Sequence, residues 1–357
     1  MELFCYQAEC GDALRIRYEG NDGKLHNVFL DSGYERTFKH TLQSEINQIK
    51  NDGEYIDLWI ISHIHDDHIG GAIKYIKSVR DKETIDITKS WFYNPPRKYP
   101  KEESNRNAIS ASMSIKQGDL LYDYLVDCNM LPEVDITTEL KTQDLFGLKM
   151  QLLSPTKESL EKLRSKYKYV TLLETSEFDL ISEATAAIGF DYNRELGSFD
   201  LESFEEDESI ENECSIAVLF EYKNKKVLWL SDSHASTIVN SLRKNGYSIE
   251  SPLKCEYVIT SHHASKANNS VELFELLQCE NYVITSNGEN KYYLPSKEAL
   301  ARIIKNKNRC LNSRLHLFFT YNASVINKIF ESDGDSIFDL LNFDVIISDK
   351  RFINFRI

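Results

Sequence analysis

Ten residues, Ser62-His63-Ile64-His65-Asp66-Asp67-His68-Ile69-Gly70-Gly71, constrain this chain more than any other stretch. They place three histidines and two aspartates within six positions, directly after the mostly apolar Ile56-Asp57-Leu58-Trp59-Ile60-Ile61. Imidazole and carboxylate are the ligands that first-row divalent metals take where thiolate is absent. A polar loop with chance histidines has no need to crowd them so. The apolar run at 58–61 reads as a buried strand and residues 72–79 as the start of a helix. The ligands then fall on a strand-to-helix loop at a sheet edge, where α/β enzymes place their sites. In extended backbone, alternate side chains point the same way, so His63 and His65 can share one metal. Asp67 and His68 lie where the chain turns into the helix and can serve a second. Gly70-Gly71 removes side-chain bulk and lets backbone approach closely.

Length and charge bound what can be built around this loop. A chain of 357 residues with 41% apolar residues can pack one large α/β domain, read here as residues 1–357 with an insertion at 156–212. No apolar run reaches 18 residues and the first residues lack a basic, apolar leader, so the expectation is a cytoplasmic protein with no membrane contact. Seven scattered cysteines without a Cys-x-x-Cys pair fit a reducing compartment. Cys10 and Cys214 fall near the site and read as small core residues before ligands. A formal net charge of −14 opposes non-specific nucleic-acid binding. Divalent cations would reverse that field locally, so a phosphodiester substrate held in a restricted groove is compatible with it.

The order of five further segments adds a resemblance. His63-x-His65-x-Asp67-His68 resembles the signature of the metallo-β-lactamase superfamily. Ala8-Glu9-Cys10-Gly11-Asp12-Ala13-Leu14, Val28-Phe29-Leu30-Asp31-Ser32-Gly33, Asn212-Glu213-Cys214-Ser215, Val227-Leu228-Trp229-Leu230-Ser231-Asp232 and Val258-Ile259-Thr260-Ser261-His262-His263-Ala264-Ser265 follow in the order and rough spacing of the soluble hydrolase domain of ComEC-type competence proteins. The resemblance implies a four-layer αββα sandwich holding one or two divalent ions, zinc or manganese. It implies metal-activated water attacking a phosphodiester of DNA or another nucleotide substrate. It also implies stand-alone relatives that work beside an ATPase partner in antiphage defence.

Under that resemblance His63 and His65 hold one metal, Asp67, His68 and His262 hold the other, and Asp232 bridges them. Asp12 and Asp31 orient the ligand imidazoles. Asp67 and His263 are the candidates for proton transfer, and Asn94, Tyr292 and Tyr293 for substrate contact. The chain departs from the pattern in three places. No histidine lies between His68 and His234, where the superfamily usually has a further ligand. Leu294 stands where ComEC-type chains carry a histidine, and Ala264 stands where they carry glycine. Two other readings stay open: a hydrolase of a small ester, lactone, thioester or cyclic nucleotide, and a binding module with a degenerate site.

The rest of the chain reads as two similar halves. Residues 1–33 read as antiparallel strands, 37–51 as a helix, 90–93 as a strand, 108–128 and 158–167 as helices and 178–188 as another. Arg97, Lys98 and Lys101 follow aromatic residues and could clamp phosphate. Residues 200–213 carry eight acidic and no basic residues and read as a solvated, mobile loop. Strands at 216–222, 226–230, 257–260, 282–285 and 315–319 and helices at 235–245 and 296–305 complete the second half. His26, His40, His234 and His316 read as structural or surface residues.

Overall fold

A computed structural model describes residues 1–97, 113–167, 191–290, 292–310 and 312–357. Lys98, Lys101 and the helix expected at 178–188 lie outside these residues.

Alternation along the first strands sets the architecture. In Glu2–Tyr6, Leu3 and Cys5 point to one side of the sheet and Phe4 and Tyr6 to the other. Leu25–Asp31 does the same, with Val28 and Leu30 opposite Phe29. A sheet apolar on both faces must be covered on both. It has six strands, in the order Phe352–Arg356, Glu2–Tyr6, Ala13–Glu19, Leu25–Asp31, Ile56–Ile60 and Trp91–Phe92. The outer face packs on helices through Phe38, Ile46, Ile49, Ile69, Ile73 and Ile76. There Trp59 stacks on Trp91 with centroids 4.9 Å apart. Each such ring buries about 200 Å², worth roughly 5 kcal/mol at about 25 cal/mol per Å².

The inner face meets a second sheet of eight strands. Its order is Phe343–Ile347, Leu315–Phe319, Asn281–Ile284, Tyr257–Ile259, Lys225–Trp229, Ala217–Tyr222, Leu148–Ser154 and Gln143–Leu145. Leu14, Ile16, Leu58 and Ile60 from one sheet share a core with Met150, Val218, Phe220 and Trp229 from the other. Leu228, Val258, Tyr282 and Leu317 face outward onto helices through Ile238, Leu242, Leu300 and Ile303. Helix, sheet, sheet and helix are therefore stacked as four layers, a mixed α/β arrangement consistent with the metallo-β-lactamase fold.

Several elements differ from expectation. The helix after the histidine motif spans Asp66–Arg80, so it begins inside the motif and puts Asp66 and Asp67 in its first turn. Acidic residues there complement the helix dipole. Residues 320–357, which had no place in the sequence reading, supply strands at the edges of both sheets. Phe343–Ile347 pairs with Leu315–Phe319, and Phe352–Arg356 pairs antiparallel with Glu2–Tyr6.

The acidic segment is solvated only in part: Asp200, Glu202, Glu205 and Glu208 are exposed, while others are tied into the protein. Glu206 caps the Ala235–Lys244 helix through Ser236, and Glu211 is buried against Lys166 at 2.9 Å. Charge alone could not foretell buried partners for these carboxylates.

Candidate metal centre

The C-terminal ends of parallel strands converge on one point between the sheets. His63 follows Ile56–Ile60, Asp232 follows Lys225–Trp229, His262 and His263 follow Tyr257–Ile259, and Thr285 follows Asn281–Ile284. Asp31 ends Leu25–Asp31 and Asp12 precedes Ala13–Glu19. Glycines allow the close packing this needs. A Cβ on Gly11 would lie 2.4 Å from the Asp67 carbonyl oxygen, and one on Gly71 2.2 Å from that of Ser32. Ser32 ties its loop to the motif helix, donating to His68 O at 2.6 Å and accepting from Ala72 N at 2.8 Å.

Asp232 is the hub. Its Oδ1 lies 3.2 Å from His68 Nε2 and 3.8 Å from His263 Nε2, and its Oδ2 lies 3.7 Å from His63 Nε2 and 3.6 Å from His262 Nε2. Asp67 Oδ2 sits 3.7 Å from His68 Nε2 and 3.4 Å from His263 Nε2. Four imidazoles therefore turn the same ring nitrogen toward one carboxylate.

The opposite nitrogens explain why. His68 Nδ1 donates to Asp31 Oδ2 at 2.7 Å. Ser62 gives its hydroxyl proton to the same oxygen at 2.6 Å, so its oxygen accepts from His63 Nδ1 at 3.0 Å. Thr285 donates to Asp12 Oδ1 at 2.6 Å, so its oxygen accepts from His263 Nδ1 at 3.1 Å. His262 Nδ1 donates to Asn268 Oδ1 at 2.9 Å. Each ring thus carries a proton on Nδ1 and turns Nε2 inward, the atom a cation would take.

A group that accepts lone pairs is the partner these atoms lack. The Nε2 atoms of His63, His68 and His263 and Oδ1 of Asp232 are buried without a hydrogen-bond partner. Uncompensated burial of that many polar atoms costs several kcal/mol. His63, His68 and Asp232 form one cluster compact enough for an ion, and Asp67, His68 and His263 form another. The donor set therefore fits divalent metal.

Charge follows the same geometry. Burial would raise Asp232, but the rings of His68, His262 and His263 outweigh it and hold the carboxyl well below its ordinary value. Burial would lower His68, but Asp232, Asp67 and Asp31 hold it well above the imidazole range, so its Nε2 keeps a proton that a bound cation would displace. Burial and the neighbouring rings of His68 and His65 push His63 down, which keeps it neutral. Burial would lower His262 too, yet Asp232 and Asp207 raise it to about 10. Burial pushes Asp31 up, and His68 draws it back.

The sequence-derived candidates fall into three groups. His63, Asp67, His68, Asp232, Asp12 and Asp31 lie together in the arrangement described. The two late histidines do not divide as expected. His263, expected to transfer protons, is only 1% exposed and joins Asp67 and His68. His262, expected beside Asp67 and His68, faces the other oxygen of Asp232 at 3.6 Å and, among the described residues, joins none of the compact clusters. His65 caps the motif helix with its ring 4.6 Å from that of His63, and it joins none of the compact clusters among the described residues.

Asn94, expected to contact substrate, is 8% exposed and faces the protein's own backbone. Its amide is spent on the Ile136 backbone, donating at 2.8 Å and accepting at 2.9 Å. Tyr292 is half-buried and Tyr293 exposed, beside a buried Leu294. Cys10 is buried beside Ser286, and burial and Asp67 keep its thiol protonated. Cys214 packs with Leu160 and Leu163. His26 pairs with Asp22 and Asp57, and His316 with Asn281.

Sequence reasoning missed Ser62, Thr285, Asn268 and Asp207. Thr285 was signalled weakly, since it ends a parallel strand. Ser231 and Ala264 adopt φ of 46° and 63°, a left-handed conformation that glycine takes without strain.

Residues 22–106 match the family model "Metallo-beta-lactamase superfamily". That segment carries the histidine–aspartate motif, and the match points to a metal-dependent hydrolase. No curated protein matches the chain. Among solved structures it resembles a "CmlA beta-hydroxylase E377D mutant" at 11% identity and a TM-score of 0.40, covering 100% of this chain and 54% of that one. It also resembles a protein of unknown function from Enterococcus faecalis V583 at 10% identity and a TM-score of 0.26, covering 97% and 76%. The chain thus spans about half the length of the first of these. Among the described residues, no helix is long and apolar enough to cross a membrane.

Proposed function

We propose that this chain is a metal-dependent phosphodiesterase acting on DNA or another nucleotide substrate. The observation that carries this reading is the inward Nε2 of four histidines around Asp232, three of them buried without a partner. Asp67, His68 and His263 would hold one divalent cation, zinc or manganese. His63 would hold a second, with Asp232 between them. Such cations, when bound, bring the pKa of a water to about 7 and offset phosphate charge.

The chain's own groups supply the rest. Asp31 and Asp12 keep the ligand protons on Nδ1, directly or through Ser62 and Thr285. Asp67 is the most exposed carboxylate of the cluster, at 22%, and its Oδ2 faces His68 and His263, so its part is to hold the cation with them. The order of ComEC-type motifs supports a nucleic-acid substrate. The net charge of −14 supports delivery into a narrow site rather than capture by a basic surface, and it equally favours a small phosphodiester such as a cyclic dinucleotide. The ATPase partner implied by the same motifs belongs to this proposal, and co-purification of the two proteins would test it.

The test pairs metal analysis with a substrate panel of bis-p-nitrophenyl phosphate, single- and double-stranded DNA, and cyclic dinucleotides. His68→Ala and Asp232→Ala should lose bound metal and hydrolysis together. Wild-type protein that holds no metal after metal-replete purification, or hydrolysis that survives in both variants, refutes the assignment.

A further inference from the structure

The chain lacks a histidine between His68 and His234, so the cation on the His63 side is short of one imidazole. The structure offers a replacement from elsewhere in the sequence. Oδ1 of Asp232 faces His68 and His263, which together with Asp67 complete one side. Oδ2 faces His63 at 3.7 Å and His262 at 3.6 Å. Adjacent histidines reach opposite oxygens because residues 262–264 take φ of 46°, 53° and 63°, which sets the two rings 72° apart. A run of left-handed residues is costly, and such strain persists where the surroundings enforce it.

The ring of His262 is held as a ligand's would be. Its Nδ1 donates to Asn268 Oδ1 at 2.9 Å and lies 3.5 Å from Asp207 Oδ2. Asp207 is itself fixed from four directions. Its Oδ2 accepts from Asn212 at 2.6 Å and Asn268 at 3.0 Å, its Oδ1 accepts from Ser209 N at 2.9 Å, and its own N–H donates to Ala267 O at 3.0 Å. This carboxylate comes from the acidic segment, so part of that segment serves the metal centre.

We propose that His262 is a ligand of the cation on the His63 side, taking the place of the absent intermediate histidine, and that Asp207 and Asn268 are the positioning residues that aim its ring. The inference rests on the two-cation reading of Asp232. It assigns the acidic segment a task beside the site, where a carboxylate behind an imidazole raises ligand basicity.

Cobalt(II) loading of the full chain tests this without reference to turnover. His262→Gly suits the strained φ of 46°, so the fold should survive, as far-UV circular dichroism and the thermal midpoint can check. Wild-type protein should take two equivalents of cobalt and His262→Gly one. Added imidazole should restore the second equivalent and its visible absorption. Asp207→Ala should weaken the same equivalent by roughly 10–100-fold and shift its spectrum, leaving the other unchanged. Two equivalents bound by His262→Gly with wild-type affinity and spectrum would overturn the inference and leave the proposed function standing. A single equivalent in the wild type would also overturn it. No binding at all in the wild type would remove both. An Asp207→Ala spectrum identical to wild type would overturn the positioning role.

Discussion

Replacing Asp31 by Asn isolates how much the orienting carboxylates contribute. The side chains are isosteric, and Asn tolerates the φ of 51° at this position. Asp31 Oδ1 accepts from Ser62 N at 2.7 Å, and Oδ2 accepts from Ser62 Oγ and His68 Nδ1. An Asn whose oxygen satisfies Ser62 N must place its NH2 against His68 Nδ1. Two donors then face each other, and His68 relieves the clash by moving its proton to Nε2, the atom that would bind metal. Loss of a ligand's orienting partner weakens metal affinity by about 10–100-fold, or ~1.4–2.7 kcal/mol. That energy is subtracted from metal-linked stability. With an unfolding entropy of ~2.1 cal/mol/K per residue, 357 residues give about 0.75 kcal/mol/K, so the midpoint gained on adding zinc should shrink by about 2–4 °C. Chelator competition measures the affinity and calorimetry the midpoint. A folded Asp31→Asn protein with wild-type zinc affinity and an undiminished zinc-induced shift would refute the tautomer argument.

Asn94→Ala should destabilise the protein by about 2–4 kcal/mol in urea unfolding, because it orphans both backbone groups of Ile136, while KM for any substrate stays at the wild-type value; a raised KM with intact stability would return Asn94 to the substrate site. Lys297 is fully buried, 2.5 Å from Asp333, so Lys297→Met should cost about 3–5 kcal/mol, and the double variant Lys297→Met/Asp333→Leu should recover part of that loss. A double variant no more stable than the single one would show that the loss is packing and not unpaired charge. Burial would raise Glu54, but Arg17 and Asn27 outweigh it and hold it below its ordinary value. A depressed carboxyl contributes stability above the unfolded value of about 4.3 and loses it as pH falls through the folded one. The stability difference between wild type and Glu54→Gln should therefore be largest above roughly pH 5 and shrink on acidification, as urea midpoints across pH can show; a difference that grows in acid contradicts the pairing.

The features legible in the sequence are those that local periodicity writes. Alternation of apolar and polar residues in Leu14–Tyr18 marked residues 1–33 as strands, and the spacing of His63, Asp67 and His68 put candidate ligands at a strand-to-helix junction. What stayed hidden depends on contacts between distant segments. Leu315–Phe319 was readable, but Phe343–Ile347 and Phe352–Arg356 become strands only because each sheet presents an open edge to them. The division of labour between His262 and His263 turns on three consecutive left-handed residues, and no residue there is a glycine that would announce them. Asp207 is the sharpest case. A run of eight acids is read as solvated because burying an unpaired charge is prohibitive. That inference fails wherever cationic or proton-donating groups gather at another point of the fold. His262, Asn212 and Asn268 do so here: burial would raise Asp207, but the His262 ring 3.5 Å away and the hydrogen bond from Asn212 outweigh it and leave the carboxyl well below its ordinary range. The acidic segment and the late histidines are therefore one structural unit, and each of them looks anomalous only when it is read without the other.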